Sequence, residues 1–252
     1  LREHRMAMVQ FRINKPISLN REFGGLGLVK NILQYMISRK GLMATGSHDV
    51  VAFVRSEQHL TRPDIELVVA PFSLKQTGMS MEPQEGNVEF EEQHGMQIFG
   101  YQLRPESQGS VMISSADPAA DPVIKSGYFS HETDRKMSFQ VLKKIRELAA
   151  QPPLVDLIIE ETSPGHEVSS ADAILKFHSE SGGPVAHPAG TCKMGNDEMA
   201  VVDNRLKVHG VDGLRVIDCS IMPTLVSAHT NAATMALAWR GAQLIEEDWR
   251  GA

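Results

Sequence analysis

Residues 185–195 read VAHPAGTCKMG, a run that sets a histidine, a proline, two glycines and one of the chain's two cysteines within eleven positions. It has too little apolar periodicity for a core strand or helix. His187 is therefore a metal ligand, a loop residue of structural duty, or a proton-handling group. Spacing argues against the first: zinc sites pair ligands as C-x2-C or H-x3-H, and His187, Cys192, His209 and His229 form no such pair. Cys192 stands beside Lys193, which would lower a thiol pKa, but reads more simply as a buried structural cysteine. Ser220 lies in DCSIMP rather than in G-x-S-x-G, so no hydrolase elbow is indicated. His48, His59, His94, His131, His166 and His178 sit in polar, turn-like surroundings and are expected to be solvated. His187 and His229 differ, because small residues flank both and leave each imidazole open to a cavity. Such a pair suits proton transfer, since imidazole titrates near neutrality; two structural loop histidines remain the alternative.

Downstream, VVDNRLKVHGVDGLRVID (201–218) breaks into short apolar triplets separated by the turn signals DN and GVDG. Leu214 to Ile217 is expected as a strand. The bridge CSIMPTLVSAHTN then leads into a helix over 232–248, with Met235, Ala238, Ala242 and Ile245 as its buried stripe. A helix that starts just beyond a loop carrying polar residues offers its N-terminus to negative charge.

Upstream, alternation predicts strands over 7–13, 50–55, 65–72, 97–104 and 110–114. Helical spacing covers 21–39, with Gly41 as the stop, and 134–150, where Val141, Ile145, Leu148 and Ala149 share a face. Residues 78–95, acidic and Met-bearing, read as a surface excursion. The pattern is an α+β arrangement with a mostly antiparallel sheet. Gly25-Leu26-Gly27 lacks the third glycine of a dinucleotide fingerprint and opens no βαβ unit, so it reads as the entry to the 28–39 helix.

The 252 residues carry a net charge of -6, which gives no basic footprint for nucleic acid. No apolar run reaches the ~18 residues of a membrane span. Two cysteines suggest reduced thiols and a cytoplasmic location.

HPAGTCKMG followed by VVDNRLKVHGVDGLRVIDCSIMPTLVSAHTNAATMALA resembles the C-terminal signature of the glucose–methanol–choline (GMC) oxidoreductases, nearly unbroken from His187 to Ile245. Fainter echoes are RKGLMATG, GSVMISSADPAADPVI, GYFSHETD and the opening LREHR, which is similar to the family's N-L-x-D-H element with Glu3 for Asp. The resemblance implies FAD as cofactor and oxidation of an alcohol to an aldehyde or ketone, with hydride passing to flavin N5. His187, in H-x-x-G-T, would be the general base and His229 the second active-site residue. Asp218, Cys219, Asn231, Ala232 and Thr234 match segments around the ribityl chain and pyrimidine edge of the flavin. Residues 1–183 would form the substrate-binding domain. Residues 184–252 would be the C-terminal segment of a Rossmann-like FAD-binding domain, contributing its last strand and helix. The N-terminal half with the G-x-G-x-x-G cradle is expected on the same or a separate chain. The expected partners are that half and a small-molecule alcohol. Two other readings are a hydroxynitrile-lyase-like enzyme without net redox, and a half-chain module active only with its partner. Many choline- and alcohol-dehydrogenase-like members carry Asn where this chain has His229.

Overall fold

The computed structural model describes residues 1–46, 48, 50–75 and 89–251. The chain forms two compact units. One comprises Met6–Gln102 and Lys136–Gly183; the other gathers Leu1–Arg5, Leu103–Arg135 and Pro184–Ala252.

The first unit is built on an antiparallel sheet. Its strands are β1 (Arg5–Ile13), β2 (Val50–Val54), β3 (Ile65–Ala70), β4 (Gly95–Gln102) and β7 (Ile158–Ser163), in spatial order β2-β3-β4-β1-β7. The register pairs Val9 with Ile98 and Phe11 with Met96, and Leu67 with Gly100 on the next strand. Because side chains alternate across a strand, Ala7, Val9, Phe11 and Ile13 all reach one face. There they meet Ile65, Leu67, Met96 and Ile98 in a buried core.

Helix α2 (Glu132–Ala149) covers that face with Val141, Leu142, Ile145 and Ala149, and α4 (Ala171–Ser181) adds Ile174. Close approach is permitted by Gly100, where a Cβ would lie 2.6 Å from Leu67 and 3.2 Å from Val141. Glu161 on β7, whose side chain is fully buried, receives a bidentate bond from Arg146 of α2 at 3.0 and 2.7 Å. Between β1 and β2 runs α1 (Gly25–Ser38), with Gly24 as its N-cap, so Gly25-Leu26-Gly27 begins the helix rather than leading into it at residue 28. It stops at Arg39, in the left-handed region at φ 56, rather than at Gly41. The apolar side chains Leu26, Leu33, Met36 and Ile37 of α1 are exposed.

The helix α3 (Leu154–Leu157), β7 and α4 went unread in the sequence because each is short or weakly periodic. His178 is buried rather than solvated: it lies on the inner face of α4, and its Nδ1 bonds the Ser138 hydroxyl at 2.9 Å. Of the 78–95 excursion, residues 78–88 lie outside the described residues.

The second unit contains the hairpin β5 (Ser110–Met112) and β6 (Val123–Lys125) and the C-terminal helix α5 (Asn231–Gly251). The two-residue strand β8 (Gly183–Pro184), which pairs with β1, is divided between the units. Its main apolar cluster is Val202, Leu206, Ile221 and Leu244. Residues 214–217 do not form a regular strand. They run beside 206–208 through an isolated bridge, Lys207 with Arg215, and through Val216 N–H to Leu206 O at 3.2 Å. A segment becomes a strand only where a neighbour extends its ladder, and this one meets a neighbour over three residues.

The face of α5 that packs is also not the expected one. Leu237, Gly241 and Leu244 turn inward, while Met235, Ala238, Ala242 and Ile245 are exposed. An Ala-rich helix carries apolar residues at several phases, and the contact of Gly241 with Ile217 decides among them. At its C-terminal end Asp248 collects Lys207 at 2.6 Å, Arg205 at 2.5 Å and Arg215; Lys207 first, and then Arg205, hold its carboxyl down at about 2. Among the described residues no helix is long and apolar enough to cross a membrane.

Candidate active site

The site is assembled from three segments of the second unit. Residues 1–4 are fastened on both sides by backbone bonds. Leu1 exchanges two with Gly109 (3.0 and 2.8 Å), Arg2 exchanges two with Ala189 (both 2.9 Å), and Val185 N–H donates to His4 O at 3.2 Å. The 187–194 loop runs alongside the turn Cys219–Ile221: Cys192 N–H donates to Ser220 O at 2.9 Å and Met194 N–H to Ile221 O at 2.8 Å. Gly190 makes the bend at φ +83, and a Cβ there would come 3.2 Å from Met222 O. This left-handed position explains the glycine in H-x-x-G-T.

His187 and His229 come together, with ring centroids 5.0 Å apart and planes at 77°. Each follows an alanine held in the left-handed region, Ala186 at φ 62 and Ala228 at φ 64. Non-glycine residues seldom adopt this conformation, and it costs on the order of 1 kcal/mol. Each histidine thus follows a backbone turn that local preference opposes. His187 is buried and His229 exposed. Burial, and next the neighbouring His229, push the His187 pKa below its usual value, so the ring is neutral at neutral pH.

The third member, His4, was not assigned a role from sequence. It is fully buried, its Nδ1 lies 3.0 Å from His187 Nδ1, and its Nε2 lies 3.0 Å from Leu103 O. Burial is the first cause that lowers its pKa to about 4, with the nearby His187 and His229 adding to it. Glu3 ties the two backbones together: its Oε1 accepts the backbone N–H of His4 at 2.9 Å and of His187 at 2.8 Å. Burial raises the Glu3 pKa, and these amide bonds oppose the rise. The available signal was the LREHR element itself, whose meaning depends on a partner 183 residues away.

The five residues expected around a flavin lie at the turn and at the start of α5. Asp218, Asn231 and Ala232 are exposed. Asp218 accepts Ser220 N–H at 2.8 Å, while Cys219 Sγ donates to Pro188 O and Thr234 Oγ1 to Thr230 O. The first turn of α5 contains no acidic residue, so none of its own side chains offsets the positive end of the helix dipole. The exposed Asp218 carboxylate can accept from hydroxyls, and an exposed helix N-terminus can meet a polar carbonyl edge. Among the described residues no group of three His, Cys, Asp or Glu is arranged to hold a metal ion.

Known proteins resemble this chain over almost its whole length. The chain is 32% identical over 246 residues to the oxygen-dependent choline dehydrogenase of Proteus mirabilis (strain HI4320), covering 98% of this chain and 43% of that protein. It therefore spans less than half the length of this curated relative. Its fold matches an Aspergillus oryzae RIB40 formate oxidase, studied for its FAD modification, with a TM-score of 0.85 at 20% identity over 99% of this chain and 47% of the other. An FAD-dependent oxidoreductase from Chaetomium thermophilum matches with a TM-score of 0.76 at 18% identity, over 98% and 48%. At these identities the structural likeness is one of fold. Residues 105–238, more than half of the chain, match the family model for GMC oxidoreductase. The chain belongs to the GMC oxidoreductase family.

Proposed function

We propose that this chain supplies the proton-handling site of an FAD-dependent enzyme that oxidises an alcohol to an aldehyde or ketone. The observation that carries the reading is the facing pair His187 and His229, with His187 buried and held neutral. The choline dehydrogenase relative is named for a substrate that is itself an alcohol.

Removing hydride from a carbinol carbon becomes easier as the hydroxyl proton leaves, because the developing alkoxide expels the hydride. A neutral imidazole is suited to take that proton, and this is the role of His187. His229 hydrogen-bonds the same oxygen and orients it. FAD, when bound, takes the hydride and its two electrons. Asp218 with the α5 amides of Asn231 and Ala232 would hold it, the carboxylate toward ribityl hydroxyls and the amides toward the pyrimidine edge. In this reading residues 184–252 are the flavin-contacting segment and residues 1–183 bind substrate. The partner is an FAD-binding half, on the same chain or another.

Anaerobic addition of alcohols to the FAD-loaded protein tests the reading. Loss of the yellow flavin absorbance matched by carbonyl product supports it. A spectrum that stays yellow while a cyanohydrin is cleaved would establish the lyase reading instead.

A further inference from the structure

The histidine at position 4 is more than packing. It makes two directional contacts through its two ring nitrogens, and one of them is unambiguous. Leu103 O is a carbonyl and only accepts, so the proton of His4 sits on Nε2. In a neutral ring the other nitrogen, Nδ1, then carries the lone pair. That nitrogen faces His187 Nδ1 at 3.0 Å, a distance that requires one proton between them. The proton must come from His187.

We propose that His4 is a positioning residue that sets the tautomer of His187, accepting from His187 Nδ1–H so that His187 Nε2 carries the lone pair. The inference rests on the reading of His187 as the proton acceptor. It assigns the atom that accepts and the group that selects it.

Neighbouring groups agree with the assignment. His4 faces His187 and His229, and Glu3 bonds its backbone amide rather than its ring. Its depressed pKa keeps it uncharged at neutral pH, so it remains an acceptor. A charged His4 would donate from both nitrogens, forcing His187 to place its proton on Nε2 and removing the base. When His187 takes a proton at Nε2, the Nδ1–H bond to His4 strengthens, since charged donors bond more strongly. His4 thus steadies the imidazolium without placing a negative charge beside the substrate. Glu3 adds the second constraint, a single carboxylate oxygen holding the backbone of both histidines in register.

The test is 15N NMR of the FAD-loaded protein labelled at histidine, with His187 assigned by its loss in H187Q. The expected result in the unsubstituted protein at neutral pH is a protonated, pyrrole-type Nδ1 and a pyridine-type Nε2 on His187. The reverse pattern overturns the proposal whatever the variants do.

Two substitutions separate positioning from packing. H4N sets an amide oxygen where Nδ1 stood and keeps the acceptor. H4Q reaches further, serves Leu103 O, and loses the acceptor for His187. Flavin reduction should fall about tenfold or more in H4Q and recover to within a few-fold in H4N, the scale of one hydrogen bond to a group that becomes charged. Equal losses in the two variants with the His187 tautomer unchanged would reduce His4 to a structural residue. Failure of the base reading itself shows differently: flavin reduction would survive in H187A while the tautomer of the unsubstituted protein stayed as described.

Discussion

The structure brings the rings of His187 and His229 together, but it buries His187 and leaves only His229 exposed. The small residues around both had suggested two open imidazoles; the resemblance over 187–245, not local spacing, singled the pair out. His4 was not legible as a functional residue. LREHR reads as a charged lead-in, and only the fold places it against His187. Nor does the sequence announce the left-handed backbone at Ala186 and Ala228, since alanine carries no preference for it. The buried His4 gives the protein an acid sensitivity. Its folded pKa is about 4 against an ordinary 6.5. As pH falls below 6.5 the unfolded chain takes up a proton that the folded chain refuses until about 4. Stability from this site is therefore full above pH 6.5 and declines down to about 4. The total loss is on the order of 3 kcal/mol. Urea unfolding at pH 7 and pH 4.5 should show this decline, and H4N should show a shallower one. Equal slopes in the two proteins would contradict the assignment.

At the scale of elements, strand alternation over 7–13 and the periodic face of 134–150 located β1 and α2, because both bury one full face in one core. The phase of α5 was misread for the opposite reason: its Ala-rich sequence offers two apolar stripes, and only packing selects Leu237, Gly241 and Leu244. Gly241 marks the closest approach, since a Cβ there would lie 2.4 Å from Ile217 Cγ2. In an isolated helix Gly→Ala would be favourable by up to about 1 kcal/mol. Here G241A should instead destabilise, by about 1 kcal/mol net, because overpacking costs roughly 1–3 kcal/mol. A rise in the thermal midpoint of G241A would show that the helix does not pack through this glycine. The expected strand over 214–217 became a single bridge for want of a longer partner, which no reading of its own residues supplies.

At the scale of the molecule, antiparallel α+β architecture followed from the strand alternation, and family membership from residues 187–245 and the match over 105–238. The discontinuous make-up of the second unit, three segments including residues 1–5, depends on long-range backbone bonds that leave no local pattern. If an FAD-binding half completes the protein, the exposed Met235, Trp239, Ile245 and Trp249 of α5 are apolar surface available to it. Trp239, now 73% exposed, should then be less quenched by acrylamide with that half present than without it. Undiminished quenching would place the contact elsewhere.

Whether His187 accepts the substrate proton is measured by single-turnover flavin reduction in the H187A variant of the FAD-loaded protein under anaerobic conditions. The expected outcome is a fall of about 10²–10⁴-fold, the range of a positioned general base, with flavin still bound. Reduction at an unchanged rate would contradict it.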